Sequence, residues 1–109
     1  MKKKQKRISI PKTPNSKLYL VRNPDVSWTE ISKEVALVNI QSGSFYTLNE
    51  TGALIWSLAD KKTLAEIGDE LAVEYDICER DVRRDIWRLA CKLVKEDLAA
   101  FSHKSRIKN

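Results

Sequence analysis

The sequence predicts an α+β domain that is winged-helix-like: a three-stranded antiparallel β-meander followed by a three-helix bundle packed on one face of the sheet. Three observations carry that prediction. Three short β-patterned runs follow one another between residues 26 and 48, joined only by the turns "SKE" and "SG". Apolar residues then recur at helical spacing in three stretches between residues 49 and 98. All three prolines (Pro11, Pro14 and Pro24) precede both blocks, which places a basic arm at 1–23, the domain at 24–101 and a basic tail at 102–109.

The first run, "VSWTEI" (26–31), alternates Val26, Trp28 and Glu30 with Ser27, Thr29 and Ile31. "VALVNI" (35–40) is more apolar, as a central strand covered on one face would be, and "SFYTL" (44–48) is short and aromatic. Gly43 supplies the positive φ that a tight hairpin needs. Strands joined by such short turns must be antiparallel neighbours, so the third run is a sheet edge. Asn49 is a good N-cap for a first helix carrying Ala53, Ile55, Trp56, Leu58 and Ala59, with Leu48 placed to staple onto its first turn. Thr63 and Glu66 form a capping box for a second helix lined by Leu64, Ile67, Leu71 and Tyr75. Gly68 lies on that same face and predicts a close helix–helix contact. A third helix over 79–96 shows Val82, Ile86, Leu89, Ala90, Leu93 and Val94 at helical spacing, with Leu98 following.

A chain of 109 residues, 42% hydrophobic and 32% charged, has the composition of one small folded domain. No apolar run is long enough to span a membrane. The start "MKKKQKRISIPKTPNSK" is basic but is not followed by an apolar segment, which predicts no export signal and a cytoplasmic, reducing setting. Charge is unevenly placed. Residues 1–22 hold eight basic and no acidic residues and 102–109 hold three basic and none acidic, leaving nine basic against fifteen acidic, net −6, in 23–101. The overall +5 is a property of the ends, and the arm reads as a solvated extension or a contact for an acidic partner.

Catalytic chemistry finds little support. His103 is the only histidine and lies in the basic tail, so neither a Ser-His nor a Cys-His arrangement is expected. Cys78 and Cys91 have no zinc-ligand spacing, and no residue stands ready as a base to activate either thiol. Gly43, Gly52 and Gly68 are isolated and build no phosphate loop. The expectation is a protein without catalytic residues, metal or cofactor.

Two surfaces remain. The strand 44–48 is an edge bearing Phe45 and Tyr46. Open edges capture extended peptides through backbone hydrogen bonds, unless such aromatics are core and the edge is shielded. The third helix carries the ladder Arg80, Arg84, Arg88 and Lys92, one exposed face suited to phosphates, to an acidic peptide or simply to water. Trp87 lies beside it, outside the apolar row, and a partly exposed tryptophan next to arginines is a more specific sign of a binding surface.

The segment "LNETGALIWSLAD" resembles the motif of PqqD-like proteins, an L-N-x-x-G-x-x-I-W pattern opening the first helix. "VSWTEISKEVALVNIQSGSFYTLNE" is similar to that family's meander, "KTLAEIGDELAVEYDI" to its second helix, and "DIWRLACKLVKEDL" to its third through Asp85, Ile86, Leu89, Ala90, Leu93 and Leu98. The resemblance covers about residues 23–100. Asp97 stands where the family usually has glycine and Cys78 where it often has an aspartate cap; the arm and the tail after Phe101 lie outside the pattern.

The resemblance implies a stand-alone, non-catalytic recognition element for ribosomally made, modified peptides of natural-product biosynthesis. Such an element binds the leader segment of a precursor peptide by strand addition and delivers it to a modifying enzyme (a radical SAM enzyme or a cyclase) or to a leader protease. The implied peptide-binding residues are Ser44, Phe45, Tyr46, Thr47 and Leu48 on the strand and Val82, Asp85, Ile86 and Leu89 on the third helix. Arg84, Arg88 and Lys92 are the electrostatic candidates. An unoccupied edge also permits a homodimer. The competing reading is a winged-helix nucleic-acid binder using the arginine face, against which the net −6 of residues 23–101 counts.

Overall fold

In the segment "EVALVN" every second side chain is apolar or amidic, and in the folded chain Val35, Leu37 and Asn39 all face inward and are buried. The computed structural model describes residues 8–106. Its elements in order are β1 (Tyr19–Arg22), β2 (Val26–Ile31), β3 (Glu34–Asn39), β4 (Phe45–Leu48), α1 (Glu50–Leu58), α2 (Leu64–Tyr75), α3 (Glu79–Lys95) and β5 (Ala99–Ser102). Strands β2, β3 and β4 form the antiparallel meander with β3 central, in the register Leu37↔Trp28 and Leu37↔Tyr46. The fold is α+β with three helices, as the pattern predicts.

The helices start and stop where side-chain chemistry allows. The Asn49 carboxamide accepts from the Gly52 N–H at 2.9 Å, and Thr63 and Glu66 close the capping box reciprocally. Cys78, the N-cap of α3, makes no side-chain cap hydrogen bond. The helix ends in a Schellman arrangement: Leu98 N–H donates to the Leu93 carbonyl, Asp97 N–H to the Val94 carbonyl, and Asp97 takes φ 61°. Asp97 thus adopts the left-handed conformation that glycine favours at that position. Its carbonyl accepts from Asn23 Nδ2 at 2.8 Å and from the buried Asn39 Nδ2 at 2.7 Å, which ties the end of α3 to the meander.

Helices α2 and α3 pack on each other, α3 packs on β5, and α1 lies against β3 and β4. The core joins Trp56, Leu37, Ile67, Leu71 and Leu93, and each of these is at most 1% exposed. Gly68 does face α3, but an added methyl would meet Arg83 Cγ at 3.5 Å and Ile86 Cδ1 at 3.7 Å, ordinary contact distances. The approach of the helices does not require glycine there.

The boundaries drawn at residues 23 and 101 need correction. Leu18, Leu20 and Val21 of the supposed arm are buried in the core. β1 pairs antiparallel with β5 in a second, two-stranded sheet, Tyr19↔Ser102 through Arg22↔Ala99. The domain therefore closes with its two ends side by side. Asp60, at φ 75°, fastens them: its carboxylate accepts from the Arg22 N–H at 2.8 Å and from Arg22 Nε at 2.9 Å, and its carbonyl accepts from the Arg106 N–H at 2.9 Å. Ile8 and Ile10 also pack against the core. Residues 1–7, from the arm read as a solvated extension, and residues 107–109 of the basic tail lie outside the described residues.

Candidate functional site

The hairpin fixes which backbone groups of β4 are free. Asn39 N–H donates to the Ser44 carbonyl at 2.9 Å, so the Asn39–Ser44 pair is a hydrogen-bonded one. Antiparallel pairs alternate. Tyr46 and Leu48 therefore turn their N–H and C=O groups to β3, while Phe45 and Thr47 turn theirs to the open edge. Side chains alternate in the same register. Leu48 is buried under α1 and Tyr46 is half-buried on the inner face, whereas Phe45, 66% exposed, and Thr47 stand on the outer face.

Beside this edge, between Tyr46 and α3, lies a groove of about 650 Å³. Its helical wall is the row Trp87, Arg88, Cys91, Lys92 and Lys95, with Leu89 and Glu96 flanking. Trp87 is held in place by stacking on Phe101 of β5, ring centroids 5.1 Å apart and planes 14° from parallel. The Lys92 ammonium sits 5.9 Å from the Tyr46 ring centroid, a cation–π contact that links the two walls. Burial pushes the Cys91 thiol above its ordinary pKa, with Lys95 opposing, which lowers its share of the reactive thiolate near neutrality.

Of the predicted residues, Ser44 to Leu48 fall on or beside the edge strand, and Leu89, Arg88 and Lys92 reach the groove wall. Val82 and Ile86, 6% and 2% exposed, instead belong to the core. They form the apolar row of an amphipathic helix, and that row faces inward by necessity. Asp85 is exposed and lies 3.5 Å from Arg84. Cys91, Lys95 and Glu96 were not anticipated. They continue the Trp87/Arg88 row at intervals of four, and the flagged Trp87 was the signal that could have led to them.

The basic ladder is less uniform than its spacing suggests. Arg80 and Arg84 lie 3.8 and 3.6 Å from Asp81, and Arg83 lies 3.7 Å from Asp69 and 3.8 Å from Glu79. These exposed, loose pairs leave the first half of α3 with mixed charge. Arg88 and Lys92 have no ion-pair partner among the described residues. Among those residues no group of histidine, cysteine and acidic side chains is placed to hold a metal, and no helix is long and apolar enough to cross a membrane.

The family model described as Coenzyme PQQ synthesis protein D (PqqD) matches residues 34–99. A structure of TbiB1 in complex with the TbiA(beta) leader peptide is 30% identical, with a TM-score of 0.69 over 72% of this chain and 93% of that one. A structure of lasso peptide synthetase B1 complexed with the leader peptide is 27% identical, with a TM-score of 0.67 over 74% of this chain and 96% of that one. No curated protein matches the chain.

Proposed function

This chain belongs to the PqqD family, and on that premise we propose that it is a non-catalytic recognition protein that binds the leader segment of a ribosomally made precursor peptide. The leader adds as a strand to β4, taking hydrogen bonds from and giving them to Phe45 and Thr47. Its inward side chains enter the groove between Tyr46 and the Trp87/Arg88/Lys92 row. The protein then delivers the precursor to a modifying enzyme or a leader protease. The observation that carries this reading is the coincidence of an unpaired backbone edge with an adjoining groove. Two structurally similar proteins, each matched over more than nine-tenths of its own length and solved with leader peptides bound, support it.

Edge addition takes affinity from the backbone and selectivity from the pockets beside it. Such binding depends weakly on salt, whereas duplex binding through lysines and arginines falls steeply with salt. The mixed charge on the first half of α3 gives the nucleic-acid alternative no further support. The test is fluorescence polarisation of a labelled precursor leader peptide, with a random DNA duplex as comparison, at low and physiological salt. Peptide binding that persists at physiological salt without duplex binding is expected. Duplex binding without peptide binding would overturn the proposal.

A further inference from the structure

The groove does not end at the middle of α3. A second cavity, of about 360 Å³, opens on the same helix face one turn nearer the N-terminus, and Trp87 and Arg88 line both. The groove uses positions 87, 88, 91, 92 and 95, and the cavity uses 83, 84, 87 and 88, the same two i, i+4 rows continued. Its floor is apolar, built by Leu64, Ile86 and Trp87. Its volume is that of a small-ligand pocket.

Two features define what it takes. Three guanidinium groups, Arg83, Arg84 and Arg88, surround the apolar floor. Arg83 lies 3.7 and 3.8 Å from Asp69 and Glu79 and Arg84 lies 3.6 and 3.5 Å from Asp81 and Asp85, while Arg88 faces no carboxylate at such a distance among the described residues. The remaining wall, Pro14 and Ser16, comes from the segment before β1, outside the residues that the family model matches. That segment is pinned in place: the Ser16 carbonyl accepts from the Ala65 N–H at 2.9 Å.

We propose that this cavity is a second anchor site for the same bound peptide, receiving a large apolar side chain directly beside an aspartate or glutamate that pairs with Arg88. The anchor lies in the stretch of peptide just outside the strand added to β4. It rests on the peptide-docking reading above. Because its wall is built by Pro14 and Ser16, this anchor selects among precursors in a way the edge strand alone cannot.

The test uses the full chain and the same labelled leader. Ser16 lines the cavity and not the groove, so Ser16→Trp puts bulk into the cavity wall while keeping the Ser16 backbone bond, and is expected to weaken binding about fivefold or more. Arg88→Glu is expected to weaken it about tenfold, and a lysine substituted for one leader acid should restore the Arg88→Glu complex to within about threefold of wild type. Near-UV circular dichroism checks that both variants keep the fold. Binding by both variants within about twofold of wild type, while the wild-type complex forms, would overturn the anchor and leave the docking reading intact. Failure of the wild-type protein to bind any leader would instead remove the docking reading itself.

Discussion

The meander has two outer strands, and they are built for different ends. In β2 the hydrogen-bonding alternation turns the Trp28 and Glu30 backbone groups to the free edge, as it turns those of Phe45 and Thr47 in β4. The two edges are equally unpaired. They differ in what lies beside them. Next to β2 the inner face is filled: Trp28 meets Trp56 edge-on at 6.5 Å, and the Arg22 guanidinium lies 5.7 Å from both rings while bonding Asp60. Next to β4 the corresponding space is the groove walled by α3. An open edge supplies hydrogen bonds to any strand; only an edge with an adjoining groove gives that strand's inward side chains a place to go. The comparison teaches that peptide docking is decided by the second wall and not by the edge.

The contrast breaks most sharply under proline scanning. Proline removes one N–H and is tolerated where that group faces no partner strand. Thr47→Pro is expected to weaken leader binding by about tenfold or more, and Glu30→Pro to leave it within about twofold, by fluorescence polarisation. Tyr46→Pro is a poorer probe, because the Tyr46 N–H faces β3 and its loss disturbs the meander. Equal effects of Thr47→Pro and Glu30→Pro would erase the distinction between the edges.

The next largest effect lies on the β2 side. Asp60→Ala leaves the Arg22 N–H and guanidinium without their acceptor, and should lower unfolding stability by about 2 kcal/mol in urea denaturation. Leader affinity, measured at a temperature where the variant is folded, should not change. Gly52→Ala probes the support of β4. A methyl there would sit 3.2 Å from Leu48 Cβ, and the crowding should cost about 1 kcal/mol in the same assay. Gly68→Ala, with room for the methyl, should instead stabilise by up to about 1 kcal/mol. Cys78→Asp, which gives α3 a capping side chain, should add about 1 kcal/mol. The smallest effect concerns the thiols: exposed Cys78 should react with iodoacetamide before Cys91, which is half-buried in the groove and whose raised pKa lowers its share of thiolate. A bound leader should slow Cys91 further and leave Cys78 unchanged.

Much of this was legible in the sequence because the signals are local. Asn49, the Thr63/Glu66 pair and the apolar spacing of α3 each act within a few residues, and all three helices and the three meander strands lie where those patterns predict. The pairing of β1 with β5 was not legible. "YLVR" and "AAFS" are four-residue strands nearly the whole chain apart, one embedded among lysines and prolines, and no periodicity distinguishes so short a strand from an arm. Within the site, the edge strand was readable from its turn and aromatics. On α3 spacing identifies a helix's buried face more readily than the surface beside it: Val82 and Ile86 are buried, and the groove beside β4 is lined by Trp87, Cys91 and Lys95 together with Leu89, Arg88 and Lys92.

Amide hydrogen exchange with and without leader peptide tests the central claim most directly, because it reads single N–H groups on both edges of one sheet. In the free protein the Phe45, Thr47, Trp28 and Glu30 amides are all turned outward and should exchange quickly. Addition of the leader should protect Phe45 and Thr47 and leave Trp28 and Glu30 fast. Binding that leaves Phe45 and Thr47 fast, or that protects Trp28 and Glu30 instead, would contradict strand addition at β4.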